Sequence, residues 1–173
     1  DPGPGQADVL AWADALDVEA WLRQRMADRA RPADTPASVW PARPLASRAL
    51  SVPFDPVTGD PKPKVLVALF ATPHSWEVPA HVRYGGWNTC PPAEVHVALH
   101  HRWNRRWGAD IACMTGDVIE CTVGNPPATA AAALDLAREQ AAYCPDLLLQ
   151  GTLTVQDLAE TLVDARTWHF WWP

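Results

Sequence analysis

Several features that would point directly to a function are missing from this sequence. Lysine occurs only at Lys62 and Lys64 among 173 residues, and the formal net charge is −6. This charge disfavours electrostatic binding to nucleic acid or to an anionic membrane surface. No run of about 18 apolar residues, the length of a membrane-spanning helix, is present. We therefore expect neither a nucleic-acid partner nor a membrane association.

Motifs for cofactors, metals and secretion are missing as well. The sequence has no glycine-rich phosphate loop and no dinucleotide-binding pattern after a strand. Its four cysteines form no C-x-x-C pair and do not have the spacing of a zinc-binding motif. No signal peptide opens the sequence, although its start at Asp1 and not at Met leads us to expect residues upstream. We expect buried thiols, a cytoplasmic location, no cofactor and no bound metal.

Proline and tryptophan, in contrast, are unusually abundant, with 18 and 10 residues. The apolar share of 48% and the charged share of 20% are those of an ordinary folded protein. The preference for arginine over lysine fits a high-GC bacterial genome. A chain of this length holds one domain, or one domain with an ordered appendage.

Residues 1–62 are predicted to form an N-terminal helical arm and a proline-rich linker. Apolar residues recur at near-helical spacing from Val9 to about Ala30, which predicts one or two helices. Four prolines between Pro32 and Pro44 then interrupt regular structure. We expect this part to wrap around the main domain.

Residues 63–173 are predicted to form that main domain. The continuous apolar run Val65–Phe70 predicts a buried, central strand. A helix follows Pro91 and Pro92 and ends at Gly108. Its predicted core stripe consists of Val95, Leu99, Trp103 and Trp107.

The rest of the domain alternates between strand and helix signals. Two short apolar runs joined at Gly116-Asp117 predict a β-hairpin whose register, and therefore any cysteine pairing, stays open. Thr129 and Thr154 are predicted to cap two further helices. The aromatic segment after Thr167 predicts a last strand. We expect an α+β fold with a small, mostly antiparallel sheet and helices packed chiefly on one face.

Many separated positions together resemble a bacterial family, the domain of unknown function 4253. The resemblance covers about residues 52–173 and implies no activity. It is carried by Glu77-Val78-Pro79-Ala80, Gly85-Gly86-Trp87-Asn88-x-Cys90-Pro91, His96, Trp103, Gly108-Ala109, Met114-x-Gly116-Asp117-x-x-Glu120, Pro126-Pro127-Ala128-Thr129, Ala137-Arg138-Glu139-Gln140-x-x-Tyr143-Cys144-Pro145-Asp146, Gln150-Gly151 and Phe170-Trp171-Trp172.

Three residues are weak catalytic candidates. His96 and His100 project from the same side of one helix, a geometry that suits a metal, but no general base follows and we favour packed core histidines. Cys90 precedes a helix, where a thiol pKa is lowered, with His96 as a possible base.

Glu120 lies among apolar strand residues, so it either faces solvent or is buried and paired, with Glu139, Arg138 or Tyr143 as candidate partners.

The loop around Gly85 and Gly86 combines aromatic and amide side chains, which suits a recognition surface. The predicted binding residues are Tyr84, Trp87, Asn88, Glu139 and Tyr143. The alternative for Trp87 is a tight turn that fills the core.

We expect a non-catalytic module that binds another protein, of an immunity or adaptor kind, because no catalytic motif is strong. The alternative is a small hydrolase-like enzyme that uses Cys90 or Glu120 with His96. The sequence does not determine the oligomeric state.

Overall fold

The computed structural model describes residues 3–28, 49–55, 58–152 and 154–173. Its helices and three-stranded antiparallel sheet confirm the predicted α+β class. The helices are α1 Gln6–Ala15, α2 Val18–Asp28, α3 Val78–Val82, α4 Ala93–Trp107, α5 Ala130–Tyr143 and α6 Val155–Leu162, with a 3₁₀ turn at Ser75–Glu77 and a π-helical turn at Leu148–Thr152. The strands are β1 Ala109–Met114, β2 Val118–Val123 and β3 Thr167–Trp171.

The predicted N-terminal helices are present and pack on the main domain. α1 lies against α4 through the buried side chains of Val9 and Ala13, and α2 contributes Leu22, which is 1% exposed, to the main core. The prolines between Pro32 and Pro44 lie outside the described residues. No helix in the described ranges has the length and apolarity needed to cross a bilayer.

The predicted helix boundaries are confirmed by their capping groups. α4 ends at Gly108, whose left-handed backbone (φ 60°) favours glycine. The Thr129 hydroxyl accepts the Ala132 N–H at the start of α5, and the Thr154 hydroxyl accepts the Asp157 N–H at the start of α6. All four residues of the predicted α4 stripe are buried.

The sheet order is β1-β2-β3, with both pairs antiparallel. Ile111 lies opposite Cys121 and Cys113 lies opposite Glu120, with a bulge between Ile111 and Cys113. Since residues directly opposite each other share a face, Cys113 and Cys121 lie on opposite faces. All four cysteines are free.

One sheet face carries the core. The alternation predicted for β3 is confirmed, because Trp168, Phe170 and Trp172 are buried while His169 and Trp171 are partly exposed. Phe170 stacks on Trp103 of α4 with ring centroids 5.5 Å apart. The other face carries Glu120 and His169, directly opposite each other.

The prediction of a buried central strand over Val65–Phe70 is wrong. This segment belongs to no strand of the described structure, and Leu66, Val67 and Leu69 are 94%, 88% and 94% exposed. An apolar run supplies β-propensity, but a strand also needs a partner that provides ladder hydrogen bonds. On the outer side of β1, the Ile111 N–H is instead bound by the Ser75 hydroxyl.

The exposure of this segment predicts a small energetic role. Leu69→Asp should change the free energy of unfolding by less than about 0.5 kcal/mol, the usual range for surface substitutions. Leu99→Ala, at a fully buried position, should lower it by about 2–5 kcal/mol. Urea unfolding followed by circular dichroism measures both. A large loss for Leu69→Asp would show that the segment is buried in solution.

Candidate functional site

A continuous row of polar side chains crosses the core between α4 and α5. Its centre is the Tyr143 hydroxyl, 2.5 Å from Nδ1 of His96 and 3.0 Å from Nε2 of His100. At the ends, Cys90 Sγ lies 3.5 Å from His96 Nε2 and Cys121 Sγ lies 3.7 Å from His100 Nδ1. Both histidines and Tyr143 are at most 1% exposed. We call these five side chains the core relay.

The hydroxyl of Tyr143 allows the core relay to be hydrogen-bonded throughout with neutral histidines. Tyr143 has one O–H and its oxygen also accepts, so one histidine accepts from this hydroxyl and the other donates to it. The second ring nitrogen of each histidine lies beside a cysteine sulfur, which either donates or accepts. Every member is therefore paired while uncharged.

Burial keeps the core relay neutral. It lowers the pKa of His96 well below its ordinary value, with a smaller contribution from His100, and it lowers the pKa of His100 to about 3. Burial also raises the pKa of Tyr143 well above its ordinary value and that of Cys90 to about 12. At neutral pH the row therefore holds two neutral histidines and no thiolate.

The backbone at Gly85 makes room for this arrangement. Its φ is 98°, and a Cβ atom there would lie 1.9 Å from the Pro91 carbonyl oxygen and 2.7 Å from His96 Nε2. Only glycine fits such a close approach without displacing the backbone. The predicted recognition loop thus contains a glycine that makes room for the core relay.

The histidine pair that suggested a metal site holds the Tyr143 hydroxyl between its rings. Nowhere in the described ranges do three or more His, Cys, Asp or Glu side chains form a group able to hold a metal ion. His96 contacts Tyr143 and Cys90, and not Glu120.

Glu120 lies on the opposite sheet face and is 2% exposed. Its carboxylate accepts the Ser51 N–H at 2.8 Å, the Ser51 hydroxyl at 2.5 Å, the Val52 N–H at 2.9 Å and His169 Nδ1–H at 3.0 Å. Burial raises the pKa of Glu120, but these hydrogen bonds outweigh burial, so that its pKa is lowered. Glu120 is therefore a buried, paired carboxylate.

The prediction that residues of α5 pair with Glu120 is wrong, because α5 packs on the other face of the sheet. Glu139 instead accepts from Arg102 at 2.9 Å, Arg106 at 3.3 Å and the Trp103 indole at 2.8 Å. Arg102 also pairs with Glu19 of α2 at 2.6 Å. This ion cluster joins α2, α4 and α5.

The predicted binding loop is divided between core and surface. Tyr84 is 7% exposed, and Trp87 packs partly buried against the core. Asn88 is exposed, and its side chain donates to the Pro173 carbonyl at 2.7 Å. The loop's role in recognition stays a prediction, now carried by Asn88 and the outer part of Trp87.

A cavity of about 710 Å³ lies beside β3 and close to Glu120. Its wall includes Glu120 and His169 of the sheet, Gln140 of α5, and Ala49, two residues before Ser51. Sequence reasoning missed Ser51, Val52 and Gln140. His169 was missed as well, because its place opposite Glu120 depends on the register of β3 on β2, which the structure shows.

Residues 66–173 match the family described as a domain of unknown function, DUF4253. The chain belongs to this family. No curated protein and no solved structure gives a significant match. The DUF4253 match contains the core relay, Glu120 and His169, whereas Ser51 and Val52 lie outside it. The carboxylate of the DUF4253 domain is thus bound by a segment from outside the matched range.

The core relay predicts that acid destabilises this DUF4253 protein. Because the folded pKa values of His96 and His100 lie below the unfolded value of 6.5, the unfolded state binds more protons below that pH. Stability is therefore complete above pH 6.5 and is lost as the pH falls below it. Urea unfolding should give a free energy about 3 kcal/mol lower at pH 5.5 than at pH 7.5, with about half of this difference from each histidine.

Two variants test whether the pH dependence of stability comes from the core relay or from other histidines. His100→Gln, whose amide nitrogen replaces Nε2, should lose about half of this pH dependence. His74→Asn, at an exposed position, should keep all of it. A flat profile between pH 7.5 and 5.5 in the parent chain would contradict the assignment.

The thiols predict a distinctive labelling pattern. Cys113 is partly exposed, whereas the other three are buried, and burial raises the pKa of both Cys90 and Cys144 to about 12. Iodoacetamide at pH 8 should label one thiol in the folded chain and four in urea, as measured by mass spectrometry. Cys113→Ser should abolish native labelling, and rapid modification of Cys90 would contradict its burial.

Proposed function

We propose that this chain is a non-catalytic protein-interaction module that binds a peptide segment of a partner through the segment's backbone at Glu120. The observation that carries the proposal is the set of donors on this carboxylate. Two consecutive backbone N–H groups, of Ser51 and Val52, and the Ser51 hydroxyl all donate to it. Ser51 and Val52 act as a built-in peptide ligand.

The chemistry of this contact suits recognition of a peptide. A carboxylate that accepts adjacent N–H groups binds a peptide backbone whatever its side chains are. Hydrogen bonds to charged groups contribute about 1.5–3 kcal/mol each. The hydroxyl contact adds a preference for serine. His169, 30% exposed in its side chain, orients the carboxylate from the opposite strand.

A role of the immunity or adaptor kind in a bacterial cytoplasm belongs to the same proposal. The four free thiols support a reducing compartment, and the arginine-rich composition supports the bacterial source. The role itself is an analogy with other small domains.

The second candidate, a hydrolase-like enzyme, is favoured by one contact. Cys90 Sγ lies 3.5 Å from His96 Nε2, within reach of a nucleophile and its base. Against it stand the burial of both groups and a thiol whose pKa is raised to about 12. The geometry therefore supports binding better than catalysis.

Supplying the segment as a separate peptide tests the proposal. The double variant Ser51→Pro/Val52→Pro removes both N–H donors and the hydroxyl from the built-in ligand. A fluorescent peptide of residues 49–55 should bind this variant in an anisotropy titration. The parent chain should bind it at least tenfold more weakly, because its own segment occupies the carboxylate.

Matched variants locate the contact. Adding Glu120→Gln to the double variant should weaken the peptide at least tenfold, since it removes the charge from the hydrogen bonds. Adding Glu94→Gln, which removes a carboxylate on α4, should have no effect. If the double variant is folded by circular dichroism and still fails to bind the peptide, the proposal is wrong.

A further inference from the structure

Another cavity lies between the N-terminal helices and α4. Its volume of about 550 Å³ falls within the 300–1,000 Å³ range of ligand pockets. Three arginines of α4 lie in its wall, Arg102, Arg105 and Arg106. Leu16 and Val18, both partly exposed, line it from the junction of α1 and α2. The described part of the wall therefore combines several cations with apolar side chains.

Two of these arginines are held in place by carboxylates. Arg102 donates to Glu19 at 2.6 Å and to Glu139 at 2.9 Å. Arg106 donates to Glu139 at 3.3 Å, and its guanidinium lies 4.7 Å from the centroid of the Trp107 ring. Side chains that are ordered before a ligand arrives lose less conformational entropy when it binds.

The three arginines keep donors that a ligand can reach. A guanidinium has five N–H groups, and the contacts with Glu19 and Glu139 use three of them on Arg102 and one on Arg106. These two side chains are 26% and 39% exposed. Arg105 is exposed, and no described residue forms an ion pair with it. The cavity therefore offers accessible, charged donors.

The charges and donors of this wall define the ligand. The three arginines outnumber Asp14, the carboxylate in the described part of the wall, although Glu19 and Glu139 offset part of their charge from outside it. One guanidinium is enough to bind a carboxylate in bidentate fashion, whereas several guanidinium groups suit the three acceptor oxygens and higher charge of a phosphate group.

We propose that this cavity binds a phosphate monoester group through Arg105, with Arg102 and Arg106 as further donors. A small phosphorylated molecule and a phosphorylated side chain of a protein share this group. Leu16 and Val18 contact the carbon atoms next to the phosphate in either case. The proposal does not depend on peptide binding at Glu120, because the two cavities share no described wall residue.

Calorimetric titration of the full chain at constant ionic strength tests the proposal. Acetyl-Ala-phosphoserine-Ala-amide should bind with one site per chain. The same peptide with serine or with glutamate in place of phosphoserine should bind at least tenfold more weakly. Inorganic phosphate distinguishes the sources: tighter binding of the phosphopeptide assigns the cavity to a phosphorylated protein, and equal or tighter binding of inorganic phosphate assigns it to a small molecule.

Substitutions in the cavity wall locate the contact. Arg105→Gln should weaken binding of the phosphopeptide about tenfold, since it removes charged donors, and Arg105→Lys, which keeps the charge, should weaken it less. Asp14→Asn should strengthen binding about two- to threefold, the usual effect of one exposed charge pair. Arg23→Gln, at an exposed position of α2 outside the described wall, should bind as the parent does.

The thermal midpoint, measured by circular dichroism, shows that each variant is folded. Arg105→Gln should keep the midpoint of the parent, because Arg105 is exposed. No binding of the phosphopeptide to the parent, equal binding of its glutamate counterpart, or unchanged affinity in Arg105→Gln would overturn the proposal.

Discussion

The hydroxyl of Tyr143 sits between two buried histidines and joins α5 to α4 from inside the core. Because an unpaired polar group at this depth would be costly, the two helices can pack only where Tyr143, His96 and His100 meet with hydrogen-bonding geometry. The aromatic side chains of β3 close around this point, with Phe170 5.0 Å and Trp172 5.1 Å from the Tyr143 ring. The position of the sheet under the helices therefore depends on the core relay.

The same constraint decides where the buried polar side chains of this DUF4253 chain are used. Histidine, cysteine and tyrosine form a complete neutral network, so the residue types most often used in catalysis are used here to organise the core. The polar groups that we propose bind a partner lie elsewhere. Glu120 and His169 occupy the other face of the sheet, where Ser51 donates to Glu120, and the cavity lies beside β3.

Local patterns predicted much of the fold and little of the site. α4 follows from its apolar spacing and Gly108, and β3 follows from its alternation of buried and exposed residues, because both signals are periodic along the chain. The apolar run at Val65 gave a wrong prediction, since a strand exists only with a partner. The contact of Ser51 with Glu120 joins residues 69 positions apart, and no local pattern records such a pairing.

The sequence by itself determined the longer helices and the hairpin, the α+β class, the family and the burial of the main aromatic side chains. The tertiary structure decided how the polar residues are used. It placed His96 and Tyr143 in one network, Glu139 in an ion cluster and Glu120 on a separate face. The physical reason is that hydrophobic periodicity is local, whereas the pairing of buried polar groups depends on which distant elements meet and in what register.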